Sequence, residues 1–433
     1  MNRLVDFSGI DARRTEGRSI ASARQRAFGR SSISISAIRL SANSLSAIRH
    51  PAFMFIALFL IASNALAAEP DRPSEAAIRS AVERSAPLIQ ATGAKYRSQR
   101  ECFSCHHQAI PAIALEIASN HGFAIDRAEL KAQGKHALDD LARNAKGYRE
   151  GKGQGGGVVR AGYALWTISV AGIEPDETTA AVVHYLLVHD DKYGYWKTSS
   201  HRPPSEASDF TATGVALVGL TRFAGESDRA AFEARKSKAL AWLESRRPKD
   251  AEDRVFRLWG LKYAGGDRAA IDSAVQDLIQ SQREDGGWGQ TDDRASDAYA
   301  TGSALVALAV AGDVETDHQS YIKGLAYLLK TQLADGSWRV ESVSRPFQTY
   351  FESGFPHGDD QFISAAATSW SIAALALAIP IRSDKPTKID RDRSRAGPIP
   401  SSDLAGSIGS KRASKRSRNV QDNVHDNSEG DRR

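Results

Sequence analysis

The chain has 433 residues, 41% of them hydrophobic and 25% charged, with a formal charge of +5. The excess sits at the ends: residues 1–50 carry +6 and residues 381–433 carry +5, which leaves −6 for residues 69–380. An acidic middle excludes nucleic acid as the partner, because binding it requires a basic patch on the folded part, and about 310 residues of ordinary globular composition can bury a large core.

Residues 1–67 read as an extended leader and signal peptide. The apolar stretch 52–62 is eleven residues long, too short to span a bilayer, and Ser63-Asn64-Ala65-Leu66-Ala67 supplies an A-x-A cleavage pattern. The mature chain then begins near Ala68 and is exported, to the periplasm or outside the cell. The Arg/Ser-rich stretch 1–50 is either a genuine leader or lies upstream of a start at Met54. Residues 68–99 read as an N-terminal lead-in helix, and 100–380 as one repeat domain. Residues 381–433 read as a disordered basic tail, poor in apolar side chains.

Two phrases recur in the middle. One is Asp297-Ala-Tyr-Ala-Thr-Gly-Ser-Ala-Leu-Val-Ala-Leu, echoed by Asp209-Phe-Thr-Ala-Thr-Gly-Val-Ala-Leu-Val-Gly-Leu. It predicts a helix buried on every side. The other is an amphipathic helix closing on a glycine turn, Gln282-Arg-Glu-Asp-Gly-Gly-Trp288 and, 50 residues on, Gln332-Leu-Ala-Asp-Gly-Ser-Trp338. Buried helices are expected at 109–121, 160–171, 211–224, 254–264, 300–311 and 365–379, and amphipathic ones near 127–143, 176–189, 229–245, 268–282 and 317–332. The glycines closing the first five buried helices (122, 172, 225, 265 and 312) are spaced 50, 53, 40 and 47 residues apart. Alternating buried and amphipathic helices, with no period-2 strand pattern, predict an all-α fold: a single double ring of about six inner and six outer helices.

Gln282-x₃-Gly286-x-Trp288 and Gln332-x₃-Gly336-x-Trp338 resemble the QW motifs of the squalene/oxidosqualene cyclase and protein-prenyltransferase α/α-toroid superfamily. The phrase from Arg345 to Ser364, and Cys102-Phe-Ser-Cys-His-His-Gln108, resemble a bacterial exported squalene-cyclase-like subgroup. The resemblance covers roughly 100–380. It implies a toroid in which glutamine and tryptophan tie one repeat to the next. It also implies a central cavity that binds or cyclises an isoprenoid or similar apolar small molecule, membrane-derived in one reading.

Cys102 and Cys105 are the only cysteines, and both sit in C-x-x-C-H just before the first buried helix. In an exported protein this is the c-type haem attachment pattern, two thioethers with His106 as iron ligand. The alternatives are a disulfide pinning that helix, or a zinc or redox pair. Met1 and Met54 both precede Ala68, so a His/Met iron centre is excluded. A sixth ligand would be histidine, with His357 and His121 as candidates, or absent.

Asp209 and Asp297 stand in the same phase at the mouths of inner helices, and Asp359 and Asp360 precede the sixth. In class II terpenoid cyclases an acid of a D-x-D-D motif at such a mouth protonates an alkene or epoxide, which demands an unusually strong, neutral carboxylic acid, made by burial and a hydrogen-bonded neighbouring carboxyl. Asp297, Asp209 and Asp360 are the candidate acids on that resemblance, although D-x-D-D itself is absent and Asp292-Asp293-Arg294 has the wrong spacing. Helix capping accounts for the same positions. Tyr163, Trp166, Phe210, Phe256, Trp259, Tyr299, Phe362 and Trp370 either line the cavity, where ring faces would stabilise a cation, or pack the core. No cysteine lies on the late helices, where a prenyltransferase zinc site would need one.

The irregular insertion 339–364 is long enough to be functional and should fold over one end of the ring, bringing His357 near Cys102–His107. The glycine run 153–157 lacks a strand-turn-helix setting and reads as a hinge. Acid-initiated chemistry on an apolar substrate is the leading function. A haem-bearing redox or sensor protein is the first alternative and a carbohydrate-active toroid the second.

Overall fold

In the computed structural model, residues 71–345 and 349–381 are described. The expected leader and signal peptide (1–67) and the tail (381–433, apart from Ile381) lie outside them, as does Phe347 of the insertion. Apart from two isolated bridges, the described residues are helices and connections, with no strand. In chain order the helices are α1 (Glu75–Gln99), α2 (Ile110–Asn120), α3 (Arg127–Ala142), α4 (Ala145–Arg149), α5 (Gly157–Val170), α6 (Glu177–Val188), α7 (Asp209–Phe223), α8 (Arg229–Ser245), α9 (Ala251–Ala264), α10 (Arg268–Gln280), α11 (Ala298–Val310), α12 (Gln319–Thr331) and α13 (Gln361–Leu377).

Helices α2, α5, α7, α9, α11 and α13 form the inner ring, each packed on the next, and α13 returns to α2. Composition dictates this. Helix α11 carries no charge, and every position but Ala309 is buried, so no face of it is suited to water. The inner helices approach closely because small residues sit where they touch. A Cβ at Gly302 would lie 2.7 Å from the Trp370 backbone, and one at Gly162 would lie 2.6 Å from the Val215 side chain. Helices α3, α6, α8, α10 and α12 sheathe the ring, with polar outer faces and caps supplied by Asp126, Asp176 and Asp267 on α3, α6 and α10. Each such cap is worth about 1 kcal/mol.

The lead-in helix over 68–99 turns out to be the sixth outer helix. Gln332, in the turn after α12, donates from Nε2 to Ala81 O (2.9 Å), Ser85 Oγ (2.8 Å) and Gly336 O (3.1 Å). It thereby ties the last outer helix to α1 and closes the double ring. Gln282 does the same one repeat earlier, donating to Gly286 O and Ser320 O, both at 2.8 Å. Trp288 and Trp338 each donate Nε1 to the carbonyl ten residues back, Leu278 and Leu328, at 2.8 Å, and both rings are buried. A third copy hides in the sequence. Trp196 donates to Leu186 O at 2.7 Å, and its backbone N–H bonds Thr213 as that of Trp288 bonds Thr301. Asp190 stands where the other two turns have glutamine, so this copy does not carry the Gln-to-Trp pattern.

Candidate functional site

The mouths of α13, α2 and α5 open on one cavity of about 1290 Å³. Its walls are the C-x-x-C-H segment, Gly155, Gly156 and Arg160 at the start of α5, the loop 199–206, and the insertion from Arg339 to Ile363. The insertion therefore covers one end of the ring, as expected from its length. Ser344 Oγ donates to Pro203 O at 2.6 Å, which joins the insertion to the 199–206 loop across the cavity. The expected hinge glycines do not form a free joint: Gly156 is the left-handed N-cap of α5 (φ 89°), and it lines the wall.

His106 and His357, which ring closure was expected to bring to the same end, both line this cavity. A single π-helical turn, Cys105–Ala109, carries the motif into α2. The His106 ring is held on both sides. Its Nε2 shares a 2.9 Å hydrogen bond with Ser205 Oγ, and Nδ1 lies 3.8 Å from Glu206. Burial lowers its pKa, with the Glu206 charge opposing. Cys102 and Cys105 are free thiols on the same wall. Cys102 Sγ lies 3.3 Å from the Tyr96 hydroxyl, and burial followed by the Glu206 charge pushes the Cys105 thiol well up. His107 is fully buried with neither ring nitrogen hydrogen-bonded, and desolvation pulls its pKa down to about 3. His357 Nε2 shares a hydrogen bond with Ser337 Oγ at 2.7 Å. His121 caps the far end of α2, its Nδ1 2.6 Å from Ile379 O, remote from His106.

The three candidate acids part company. Asp360 lines the cavity, but Arg339 grips it at 3.0 Å and Ser342 N–H at 2.8 Å. Asp209 and Asp297 are not among the lining residues. Asp297 is the N-cap of α11, accepting from Ala300 N (2.9 Å) and Gln290 Nε2 (3.0 Å), and burial raises its pKa. Asp209 is the first residue of α7 rather than its cap, which is Ser208, and it accepts from Thr198 N at 2.8 Å. Of the eight aromatics placed at the mouths, Phe362 alone lines the cavity. Tyr163, Trp166, Phe210, Phe256, Trp259, Tyr299 and Trp370 are buried core, because helices this close leave large rings no room but the gaps between them.

A different acid occupies the centre of the other three mouths. Asp250-Ala251-Glu252-Asp253 opens α9, and Glu252 is only 5% exposed. Thr211 of α7 donates to its Oε1 at 3.0 Å, and Tyr299 of α11 donates to its Oε2 at 3.1 Å. Desolvation pushes its pKa up to about 8, with the nearby Asp250 charge adding and the Thr211 hydrogen bond opposing. Asp250 caps α9 through Asp253 N (2.9 Å), and Asp253 accepts from Ser208 Oγ at 2.6 Å and Lys249 N at 3.0 Å. At neutral pH Glu252 is therefore a carboxylic acid held by two donors and flanked by two carboxyl groups. Tyr163, whose hydroxyl has no hydrogen-bond partner, is pushed well up in pKa by burial first, with Glu252 on one side and Cys105 and Glu206 at the cavity close enough to add to it. Glu252 was not among the expected acids because its segment departs from D-x-D-D. D-x-E-D, one methylene longer at the third position and at a buried helix mouth, was the available signal.

Fold and site together define an α/α toroid with a ligand-sized cavity at one end and a buried acid at the mouth of α9, outside that cavity's lining. Residues 255–362, about a quarter of the chain, match the squalene-hopene cyclase C-terminal domain, which supports the resemblance to the squalene-cyclase-like toroids. A probable squalene–hopene cyclase of Sinorhizobium fredii is 28% identical over 204 residues, 40% of this chain and 28% of that protein. A drimenyl diphosphate synthase of Streptomyces showdoensis is 30% identical over 186 residues, 40% of this chain and 34% of that one. The chain thus spans about a third or less of the curated relatives it matches. A solved type II terpene cyclase from Scytonema, in complex with merosterolic acid A, aligns with a TM-score of 0.43 at 13% identity, over 70% of this chain and 99% of that one.

Proposed function

We propose that this is an exported squalene-cyclase-like protein that takes an isoprenoid or similar apolar chain into its toroid and protonates it from Glu252. What supports the reading is the burial of Glu252 between the Thr211 and Tyr299 hydroxyls, which pushes its pKa up to about 8: an acid kept protonated at an inner-helix mouth is placed to donate a proton to a carbon–carbon double bond or an epoxide. A carboxylate of ordinary pKa could not. Thr211 and Tyr299 aim the carboxyl group, and the hydroxyl hydrogen bonds they donate stabilise the carboxylate left behind. Asp253 and Asp250 hold the start of α9 in place. Asp297 and Asp209 then serve as structural anchors of the neighbouring mouths, and Asp360 holds Arg339 at the cavity rim. Export rests on the leader pattern of residues 52–67, and the relatives' substrates support an apolar ligand.

The test is to incubate the full mature chain with squalene and with linear polyprenyl diphosphates and to look for cyclised products by mass spectrometry. Glu252→Gln keeps the size and hydrogen-bonding capacity but removes the acidic proton, and it should lower conversion by roughly 10²–10⁴-fold. Conversion undiminished in that variant would assign the proton to another group. No conversion of any polyprenyl substrate by the parent would sink the reading.

A further inference from the structure

The protonation reading leaves the C-x-x-C-H segment without a task, although it forms a wall of the large cavity. We propose that Cys102 and Cys105 carry a covalently attached c-type haem inside this cavity, with His106 as its iron ligand. This inference does not rest on the isoprenoid reading, and the two share only the scaffold.

The residues present fit the group in four respects. Both thiols are free and line the cavity, together with the histidine that follows them. The cavity, at about 1290 Å³, exceeds the roughly 300–1,000 Å³ of ordinary small-molecule pockets, so it has room for a tetrapyrrole. Phe103 and Phe362 give it apolar surface and Arg345 a cationic rim suited to a propionate. Glu206 lies 3.8 Å from His106 Nδ1, longer than a hydrogen bond but near enough that a small approach would make it the carboxylate partner of a metal-binding imidazole.

One contact has to give way. Ser205 Oγ shares the hydrogen bond of His106 Nε2 at 2.9 Å, so the ring nitrogen that would meet iron is occupied by a hydroxyl on the 199–206 loop. That loop is irregular, and the Ser344–Pro203 hydrogen bond links it to the insertion. Attachment therefore requires the Ser205 hydroxyl to turn away from His106 Nε2, while the Glu206 carboxylate stays on the Nδ1 side. Attachment itself is chemically balanced. Each cysteine adds across one vinyl C=C of the haem: the S–H bond breaks, an S–C bond forms, and the hydrogen goes to the neighbouring carbon, with no outside oxidant or reductant.

The experiment is to express the full-length chain in bacteria carrying the cytochrome c maturation machinery, with a known c-type cytochrome loaded in the same cells. The readouts are intact mass and the alkaline pyridine haemochrome spectrum of the purified protein. The expected result is a mass increase of one haem that survives denaturation, with a spectrum of two thioethers. Cys102→Ala should shift that spectrum to a single thioether, and Cys102→Ala/Cys105→Ala should abolish covalent haem while keeping the helical circular-dichroism signal of the parent. Ser205→Ala, which frees Nε2, should raise the loaded fraction severalfold. Bare polypeptide mass in the parent while the control cytochrome is loaded overturns the proposal. So does covalent haem that persists in the double variant.

Discussion

The two halves of the ring's mouth solve opposite problems. Around α7, α9 and α11 the helix starts are packed shut: Thr211 and Tyr299 close on Glu252, Ser208 closes on Asp253, and the aromatic rings there are core. Around α13, α2 and α5 the starts are spread by loops, and a cavity of about 1290 Å³ lies between them. Both halves hold titratable groups, but burial acts on them differently. In the packed half it leaves an acid protonated, and in the open half it leaves His106 and Cys105 neutral beside Glu206. The same ring thus offers a proton on one side and uncharged metal-ligating or thiol groups on the other. Tyr163 is the residue that feels both.

The largest way to break this contrast is at Glu252. Its folded pKa, about 8, lies above the ordinary 4.5. The folded state therefore holds a proton that the unfolded state gives up between those values, and stability falls as pH rises through that window. Glu252→Gln removes the loss. Its unfolding free energy should match the parent near pH 4 and exceed it at pH 8 by a few kcal/mol, because each tenfold difference in proton affinity between the two states is worth about 1.4 kcal/mol. Denaturant titrations at the two pH values read this directly, and a parallel pH dependence of parent and variant would place the titrating group elsewhere.

Next in size is the pair of hydroxyls. Thr211→Val leaves one oxygen of a buried carboxyl without its donor and should cost about 1–3 kcal/mol, visible as a lower urea midpoint. Asp297→Ala should cost about 1 kcal/mol through the lost cap, and Asp297→Asn much less. Conversion of any substrate should be unchanged in either once folding is confirmed, and a large drop in turnover would move Asp297 from anchor to acid. Smallest is the open half. Tyr350 is exposed at the rim, so Tyr350→Ser should alter stability by less than about 0.5 kcal/mol while raising the KM for a ligand that enters there. An unfolding change larger than that would mean the rim is packed like the other half.

Much of this was legible in advance, for physical reasons. Helices α8 and α3 fall within a residue of their expected bounds because a polar and an apolar face alternate at the helical period, and the start of α3 is marked by its Asp126 cap. That His106 and His357 lie on the walls of one cavity followed from ring closure alone. Other features were hidden. The lead-in helix became a ring member only because Gln332 reaches Ala81 across some 250 residues. The mouth aromatics became core because nothing in their spacing says how closely the helices pack. Glu252 escaped notice because an acid in a helix start reads as a cap or a solvated charge until its neighbours are known.

The sequence by itself determined the helices, their buried or amphipathic character, their order and the repeat that turns them into a ring. All of these follow from periodicity and turn chemistry within a few dozen residues. Only the tertiary structure decided which acid is withheld from water, which histidine meets which carboxylate, and which half of the mouth stays open. Those depend on desolvation and on hydroxyls arriving from helices 40 or more positions away in the chain, as Thr211 and Tyr299 do at Glu252, and no local pattern encodes such a distance.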